Sequence, residues 1–224
     1  MARARPRRPV ASARGRGGAA RDRARARAAA FSEDPAAQLE GVRQIRRLLS
    51  KDAAPPVREV VSANVLGRIA VLLTSEGNPK LQFECAWALT NVASTEFTQT
   101  VADLGVIPTL AALLASGDSD VREQSMWCLG NIAGDCATLR DVVLAAPGAV
   151  DNLLLNIQHP ASLTLLRNAT WVLSNYCRGK PAPLRAVREC AAARRARHTP
   201  AHSRRPPRAC AQGSSTGAQV PAHQ

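Results

Sequence analysis

FECAWALTNVAS (83–94) contains a tryptophan followed four residues later by an asparagine, and two later stretches repeat that core, QSMWCLGNIAGD (124–135) and RNATWVLSNYCRG (167–179). The tryptophans of the three stretches are 40 and 44 residues apart. A repeat period in the forties is typical of helical solenoids, which stack units of two or three helices. The pattern therefore predicts an all-α solenoid with about three repeats.

Each of these stretches is predicted to be the last of three helices in a repeat, and the predicted repeats span about 57–96, 97–137 and 138–180. A leading amphipathic helix is expected at 38–51, where apolar residues recur every three or four positions. Aromatic residues make up only 3% of the chain against 46% hydrophobic residues, so Leu, Val and Ala must build the core. Such a composition favours helices over sheet, and the solenoid is expected to cover 38–180.

The net charge of +13 is distributed unevenly along the 224 residues. Residues 1–30 and 178–224 each carry +9, whereas 31–177 carry −5. We expect an acidic folded body between two basic tails, a disordered segment at 1–34 and a low-complexity tail at 190–224. An alternative function is nucleic-acid binding through the tails, where RGRGG (14–18) is a weak RGG-like element. An organellar transit peptide is a second interpretation of the Arg-rich start.

Several other classes of protein are disfavoured by the sequence. The four histidines are isolated, and the six cysteines form no CxxC pair, so we expect no enzyme, no metal site and no cofactor. No apolar run is long enough to cross a bilayer, which predicts no membrane partner. The expected protein is intracellular, with buried thiols.

A tryptophan and an asparagine four residues apart lie on one face of a helix. Because equivalent helices of a solenoid stack side by side, the pairs predict a ladder along one surface: Trp87 with Asn91, Trp127 with Asn131, and Trp171 with Asn175. Carboxamides can bond to an extended peptide backbone, and the indole faces can take the stems of Lys or Arg. Asp135 adds a carboxylate for a cationic head. The alternative is that the tryptophans belong to the core and the asparagines cap turns.

At these residues the chain resembles the armadillo repeats of importin alpha, in LQFECAWALTNVAS (81–94), VREQSMWCLGNIAGD (121–135) and LRNATWVLSNYCRGKP (166–181). The likeness runs from about Gln38 to about Glu189. It implies a right-handed superhelical solenoid and a nuclear import adaptor that binds the Lys/Arg-rich localisation signals of cargo proteins, in cytoplasm and nucleus. By resemblance, the three pairs form the major cargo groove. Thr100, Gln124 and Asp135 match its lysine-selective pocket and adjoining contacts, and Arg178 matches a basic residue beside it.

The chain also departs from the family. Thr95 stands where the family has glycine in the loop after the first Trp and Asn pair. The family has many more repeats, including a second cargo groove. In this chain the sequence after Glu189 has no helical periodicity. The N-terminal segment is a poor match to the importin-beta-binding segment, so recruitment of importin beta is an open expectation. A truncated, non-functional adaptor is a further alternative, and the basic tails are weighed as weak occupants of the chain's own groove.

Overall fold

The computed structural model describes residues 13–51 and 54–179, with side chains from residue 18 onward. This part of the chain forms helices and no strand, so the all-α prediction is confirmed. Eleven helices follow one another in the described residues: α1 Ala13–Ala30, α2 Pro35–Leu49, α3 Val57–Ser62, α4 Leu66–Leu73, α5 Pro79–Ala93, α6 Thr98–Asp103, α7 Ile107–Leu113, α8 Ser119–Asp135, α9 Ala137–Ala145, α10 Ala149–Gln158 and α11 Leu163–Tyr176.

The helices after α2 fall into three triplets, each with two short helices followed by a long one. The long helices α5, α8 and α11 pack side by side, and α2 packs on α5 at the start of the row. The middle helix of each triplet packs against its own long helix, which gives the pairs α4 with α5, α7 with α8, and α10 with α11. The result is a solenoid whose long helices form one continuous layer.

Polar caps fix where the long helices begin. The side chains of Asn78, Asp118 and Ser162 each accept a hydrogen bond from a backbone N–H in the first turn of α5, α8 and α11. Such caps are worth about 1 kcal/mol each and satisfy backbone donors that the helix leaves open. They hold the three long helices in equivalent registers, which the ladder requires.

The core of the solenoid is built from apolar side chains at equivalent positions of the repeats. Val92 on α5, Ile132 on α8 and Tyr176 on α11 each lie five residues after the tryptophan of their helix, and all three are fully buried. One stripe of each long helix therefore faces the core while the neighbouring stripe is left for the surface.

The expectation that 1–34 is disordered is wrong for residues 13–30, which form α1. Alanine and arginine are strong helix formers, and Ala26 and Ala30 are fully buried against α2. The close approach depends on Gly41, because a Cβ there would lie 2.4 Å from the backbone nitrogen of Ala30. Residues 1–12 and the predicted tail at 190–224 lie outside the described residues, as does any contact of those tails with the groove.

Two further hydrogen bonds hold α1 in place. The Arg27 Nε donates to the Ala63 carbonyl at 2.9 Å, and the Arg68 Nε donates to the Ala30 carbonyl at 3.1 Å. Both guanidinium groups also lie over the Phe31 ring, at 4.8 Å and 6.0 Å from its centroid. The helix is thus tied to the first triplet as well as to α2.

Candidate functional site

The three tryptophans lie in equivalent positions on α5, α8 and α11. Trp127 is 43% exposed and Trp171 is 39% exposed, while Trp87 is half-buried. The Trp171 ring packs over Gly130 of α8, where a Cβ would lie 2.4 Å from its Cζ3 atom. Large aromatic side chains seldom stay this exposed on helices with a Leu-rich core, so the alternative of core tryptophans does not hold for Trp127 and Trp171.

The asparagines have partners that the sequence did not reveal. Each donates its Nδ2 to the helix before it: Asn91 to the Ser50 Oγ at 3.0 Å, Asn131 to the Thr90 carbonyl at 3.2 Å, and Asn175 to the Gly130 carbonyl at 3.0 Å. These carboxamides therefore link neighbouring repeats, which gives them a structural role in addition to the predicted one. The carboxamides of Asn91 and Asn131 still have a second N–H and an oxygen beyond this bond.

An open cavity of about 300 Å³ lies where α8 and α11 end. The exposed Asp135 closes α8 at its wall. Five predicted residues line the cavity together: Asn131, Asp135, Trp171, Asn175 and Arg178. The Arg178 Nη1 donates to the Asn175 Oδ1 at 3.4 Å, and Arg178 lines the same cavity as Asp135.

Thr100 is not among the residues that line this cavity; Thr95 and Thr98 occupy that place. The Thr98 hydroxyl donates to the carbonyls of Ala93 and Thr95, at 3.0 Å and 2.8 Å, which fixes the turn after α5 against the cavity. Thr100 is half-buried outside this cavity, so its place in the lysine-selective pocket or its adjoining contacts stays a prediction. Thr95 and Thr98 line the cavity because they follow directly after α5, and that part of the chain lies beside the end of α8. Their position after the predicted helix is the sequence signal that could have identified them.

Gln124 lies on α8 one turn before Trp127 and is 8% exposed. Its backbone carbonyl accepts a hydrogen bond from the Thr90 hydroxyl at 3.4 Å, while its side-chain Oε1 has no partner among the described residues. An unpaired buried oxygen costs free energy, which a donor from a bound ligand would recover. Gln124 does not line the cavity near Asp135, and its contact with a bound peptide stays a prediction.

Arg46 of α2 is a residue of the ladder that sequence reasoning missed. Its guanidinium carbon lies 4.3 Å from the centroid of the Trp87 ring. Its Nε donates to the buried Glu84 at 2.8 Å and its Nη2 donates to the same carboxylate at 3.2 Å. Arg43 donates to Glu84 as well, at 3.0 Å. One face of Trp87 is thus covered by the chain's own cation, whereas no cation of residues 18–51 and 54–179 lies over the Trp127 ring.

Replacing Arg46 by alanine should uncover that face and remove two charge-assisted hydrogen bonds from Glu84, which keeps Arg43. We expect a loss of about 1 to 3 kcal/mol in the free energy of unfolding, measured in urea. The matched control is Arg47→Ala on the neighbouring exposed residue, which should change stability by less than about 0.5 kcal/mol. Equal stability of the two variants would contradict a structural role for the Arg46 and Glu84 pair.

The cysteines of the described residues divide into buried and accessible thiols. Cys85 and Cys128 are buried, and burial raises the pKa of both thiols, that of Cys128 to about 12. Cys136 is exposed and Cys177 is half-buried. No group of three or more potential metal ligands occurs within 13–51 and 54–179. No helix in the same part of the chain has the length and hydropathy to cross a membrane.

Charge on the solenoid body opposes that of the N-terminal helices. Residues 54–179 hold seven basic and eleven acidic side chains, whereas 13–51 hold ten basic and four acidic ones. A negative body attracts cationic ligands over distances up to the Debye length, about 8 Å at physiological salt. The ladder therefore lies on the acidic part of the molecule.

Comparison with known proteins agrees with this architecture. The model of the Armadillo/beta-catenin-like repeat matches residues 53–94 and 94–134. A crystal structure of an engineered protein aligns with a TM-score of 0.69 and 28% identity, over 76% of this chain and 70% of that one. A designed armadillo repeat protein in complex with the peptide (KR)4 aligns with a TM-score of 0.67 at 22% identity, over 75% of this chain and 70% of that one.

The curated relatives give a narrower result. Importin subunit alpha-2 of Arabidopsis thaliana is 51% identical over 155 residues, which are 68% of this chain and 29% of that protein. Importin subunit alpha-1b of Oryza sativa subsp. japonica is 49% identical over 154 residues, with the same two shares. The chain thus spans about 29% of the length of these relatives. With its repeats, its ladder and these identities, it belongs to the importin alpha family of armadillo-repeat proteins.

Proposed function

We propose that this chain is a non-enzymatic import adaptor that binds extended Lys/Arg-rich localisation peptides of cargo proteins along the ladder. The observation that carries the proposal is the row of indoles in one register, two of them well exposed, beside a cavity with Asp135 at its wall. The proposed partners are cargo proteins and, given the family, importin beta. The proposed localisation is cytoplasm and nucleus.

The chemistry of the ladder fits a basic peptide. The spaces beside the exposed rings of Trp127 and Trp171 accept the aliphatic stem of a lysine or arginine. A cation over an indole face contributes roughly 0.5 to 2 kcal/mol, depending on how far it is desolvated. Because the rings stand on successive long helices, an extended chain that crosses these helices meets one ring for each repeat.

The asparagines supply contacts to the peptide backbone. Asn131 donates one N–H to the Thr90 carbonyl, and this bond holds its side chain in one orientation. The second N–H and the oxygen are then preorganised for the N–H and C=O groups of an extended peptide. The bond that links two repeats therefore also aims the side chain at the ligand.

Asp135 is proposed to receive a lysine ammonium in the cavity near the end of α8. The carboxylate is exposed, the cavity holds about 300 Å³, and the hydroxyl residues Thr95 and Thr98 share its lining. An ammonium is a compact point charge with three donors, which suits one carboxylate ringed by hydroxyl and carbonyl oxygens. Asp135 is the carboxylate of this cavity and can pair with one ammonium. A second cation would then meet the charge of Arg178, so the cavity is expected to take one lysine.

Charge reversal at Asp135 tests this assignment. The Asp135→Lys variant should lose at least about tenfold in affinity for a peptide with lysine at the matching position, because like charges then face each other. The affinity for the peptide with alanine there should fall much less. Isothermal titration of both peptides against both proteins measures the difference.

The control is Glu76→Lys, which makes the same change of charge in an exposed turn before α5. If this control loses as much affinity as Asp135→Lys, or if the lysine and alanine peptides lose equally, Asp135 acts only through the general field of the molecule.

A further inference from the structure

A second cavity, with none of the lining residues of the ladder cavity, lies between α1 and α2 and has a volume of about 250 Å³. Its lining is mostly polar and basic: Asp22, Arg25, Gln44, Arg47, Leu48 and Lys51. Leu48 is buried, so the surface that a ligand meets is formed by the polar side chains. No residue of this cavity is aromatic.

The cations of this cavity make no ion pair with the described residues, unlike their neighbours. Arg25, Arg47 and Lys51 make no hydrogen bond or ion pair with the described residues, and all three are exposed. By contrast, Arg43 and Arg46 are committed to the buried Glu84. Three unpaired cations around one concave surface repel each other, and that repulsion is relieved when an anion binds.

The cations lie on both elements that border the cavity. Arg25 lines it from α1, while Arg47 in the last turn of α2 and Lys51 two residues beyond the end of α2 line it from the other side. Arg21 lies one helical turn before Arg25 on α1, which places a further cation beside the cavity. Positive charge is therefore spread over a surface larger than one ion, which matches an anion that repeats along a line.

The backbone that carries these cations is held in place. α1 packs on α2 through Ala26, Ala30 and Gly41, and Arg27 and Arg68 bond its last turn to the first triplet. The two helices therefore need no rearrangement to bind a ligand, and binding has to order only the exposed side chains.

We propose that this α1–α2 surface binds the phosphodiester backbone of a nucleic acid without sequence preference. A phosphate backbone presents regularly spaced anions, and guanidinium forks and ammonium groups are their usual partners. The absence of aromatic side chains from the cavity gives no platform for base stacking, so single and double strands are both ligands. Asp22 weakens binding locally and does not remove the excess of positive charge. The site is independent of the peptide ladder.

The test uses the full chain and a fluorescent 20-nucleotide oligo(dT) at several salt concentrations. The variant Arg25→Gln/Arg47→Gln/Lys51→Gln should bind at least about tenfold more weakly at 0.15 M salt. The slope of log K against log salt should become shallower by about 2, because roughly 0.7 counterions are released for each single-strand phosphate contact. A 20-base-pair duplex should show the same loss.

The matched control removes three exposed cations elsewhere, in Arg58→Gln/Lys80→Gln/Arg167→Gln. It should keep the wild-type affinity and salt slope, and circular dichroism should show both variants folded. Equal losses in the two variants, or no loss in either, overturn the proposal and assign any binding to the net charge of the chain. Equal binding of a poly-glutamate peptide, lost in the same variant, overturns the choice of nucleic acid as the ligand.

Discussion

Replacing Trp127 and Asn131 together by alanine is expected to weaken binding of a Lys-rich peptide by at least about 100-fold, or about 3 kcal/mol. Trp127 stands at the centre of the ladder, between the other two tryptophans, and its ring is 43% exposed. Central aromatic residues usually dominate such interfaces, so this pair should carry a large share of the affinity. Isothermal titration measures the loss.

The same variant should remain folded, because an exposed ring contributes little to the core. Asn131 loses one hydrogen bond to the Thr90 carbonyl, worth about 1 kcal/mol. The matched control is Val142→Ala, which trims an apolar side chain that is 49% exposed on α9; its peptide affinity should match the wild type. A folded double variant with unchanged affinity would contradict peptide binding at the ladder. Global unfolding would indicate that Trp127 belongs to the core.

Replacing Gly41 by valine is expected to detach α1 from α2. A Cβ at this position would lie 2.4 Å from the Ala30 nitrogen and 2.7 Å from the Ala26 carbonyl oxygen. Both are backbone atoms, which cannot rotate away as a side chain would. We expect a loss of about 3 kcal/mol or more in the free energy of unfolding, since overpacking against backbone forces the helices apart.

Limited proteolysis gives a second measure of detachment. α1 contains several arginines, and trypsin should cut at Arg21 to Arg25 much faster once the helix opens. The control is Gly67→Ala on α4, where a Cβ meets nothing within 4 Å; helix propensity predicts unchanged or slightly higher stability there. If trypsin cuts the Gly41 and Gly67 variants at the same rate, α1 does not depend on the close approach at Gly41.

The features that the sequence predicted correctly are those that repeat. The spacing of Trp87, Trp127 and Trp171 places them in one register, and that register follows from helix geometry alone. The solenoid follows from the same period, since no single repeat buries its apolar stripe. The caps Asn78 and Asp118 are visible as short polar residues before an amphipathic run.

The features that the sequence did not predict depend on contacts between distant residues. Nothing near Arg46 in the chain indicates that it covers Trp87, because these two residues are 41 positions apart and lie on different helices. The partners of Asn131 and Asn175 are backbone carbonyls, which carry no sequence signal. The basic composition of α1 predicts a disordered tail, whereas its fully buried Ala26 and Ala30 decide its packing.

The most direct test of the account uses the chain's own tryptophans, since all three belong to the ladder. A ten-residue peptide with five consecutive lysines and no aromatic residue is titrated into the full chain while tryptophan emission is followed. Peptide binding along the ladder predicts a saturable change in emission with one peptide bound per chain, and no such change with a peptide in which alanine replaces the lysines. Emission that stays constant up to about 1 mM lysine peptide, a ligand concentration that still detects weak binding, would contradict it.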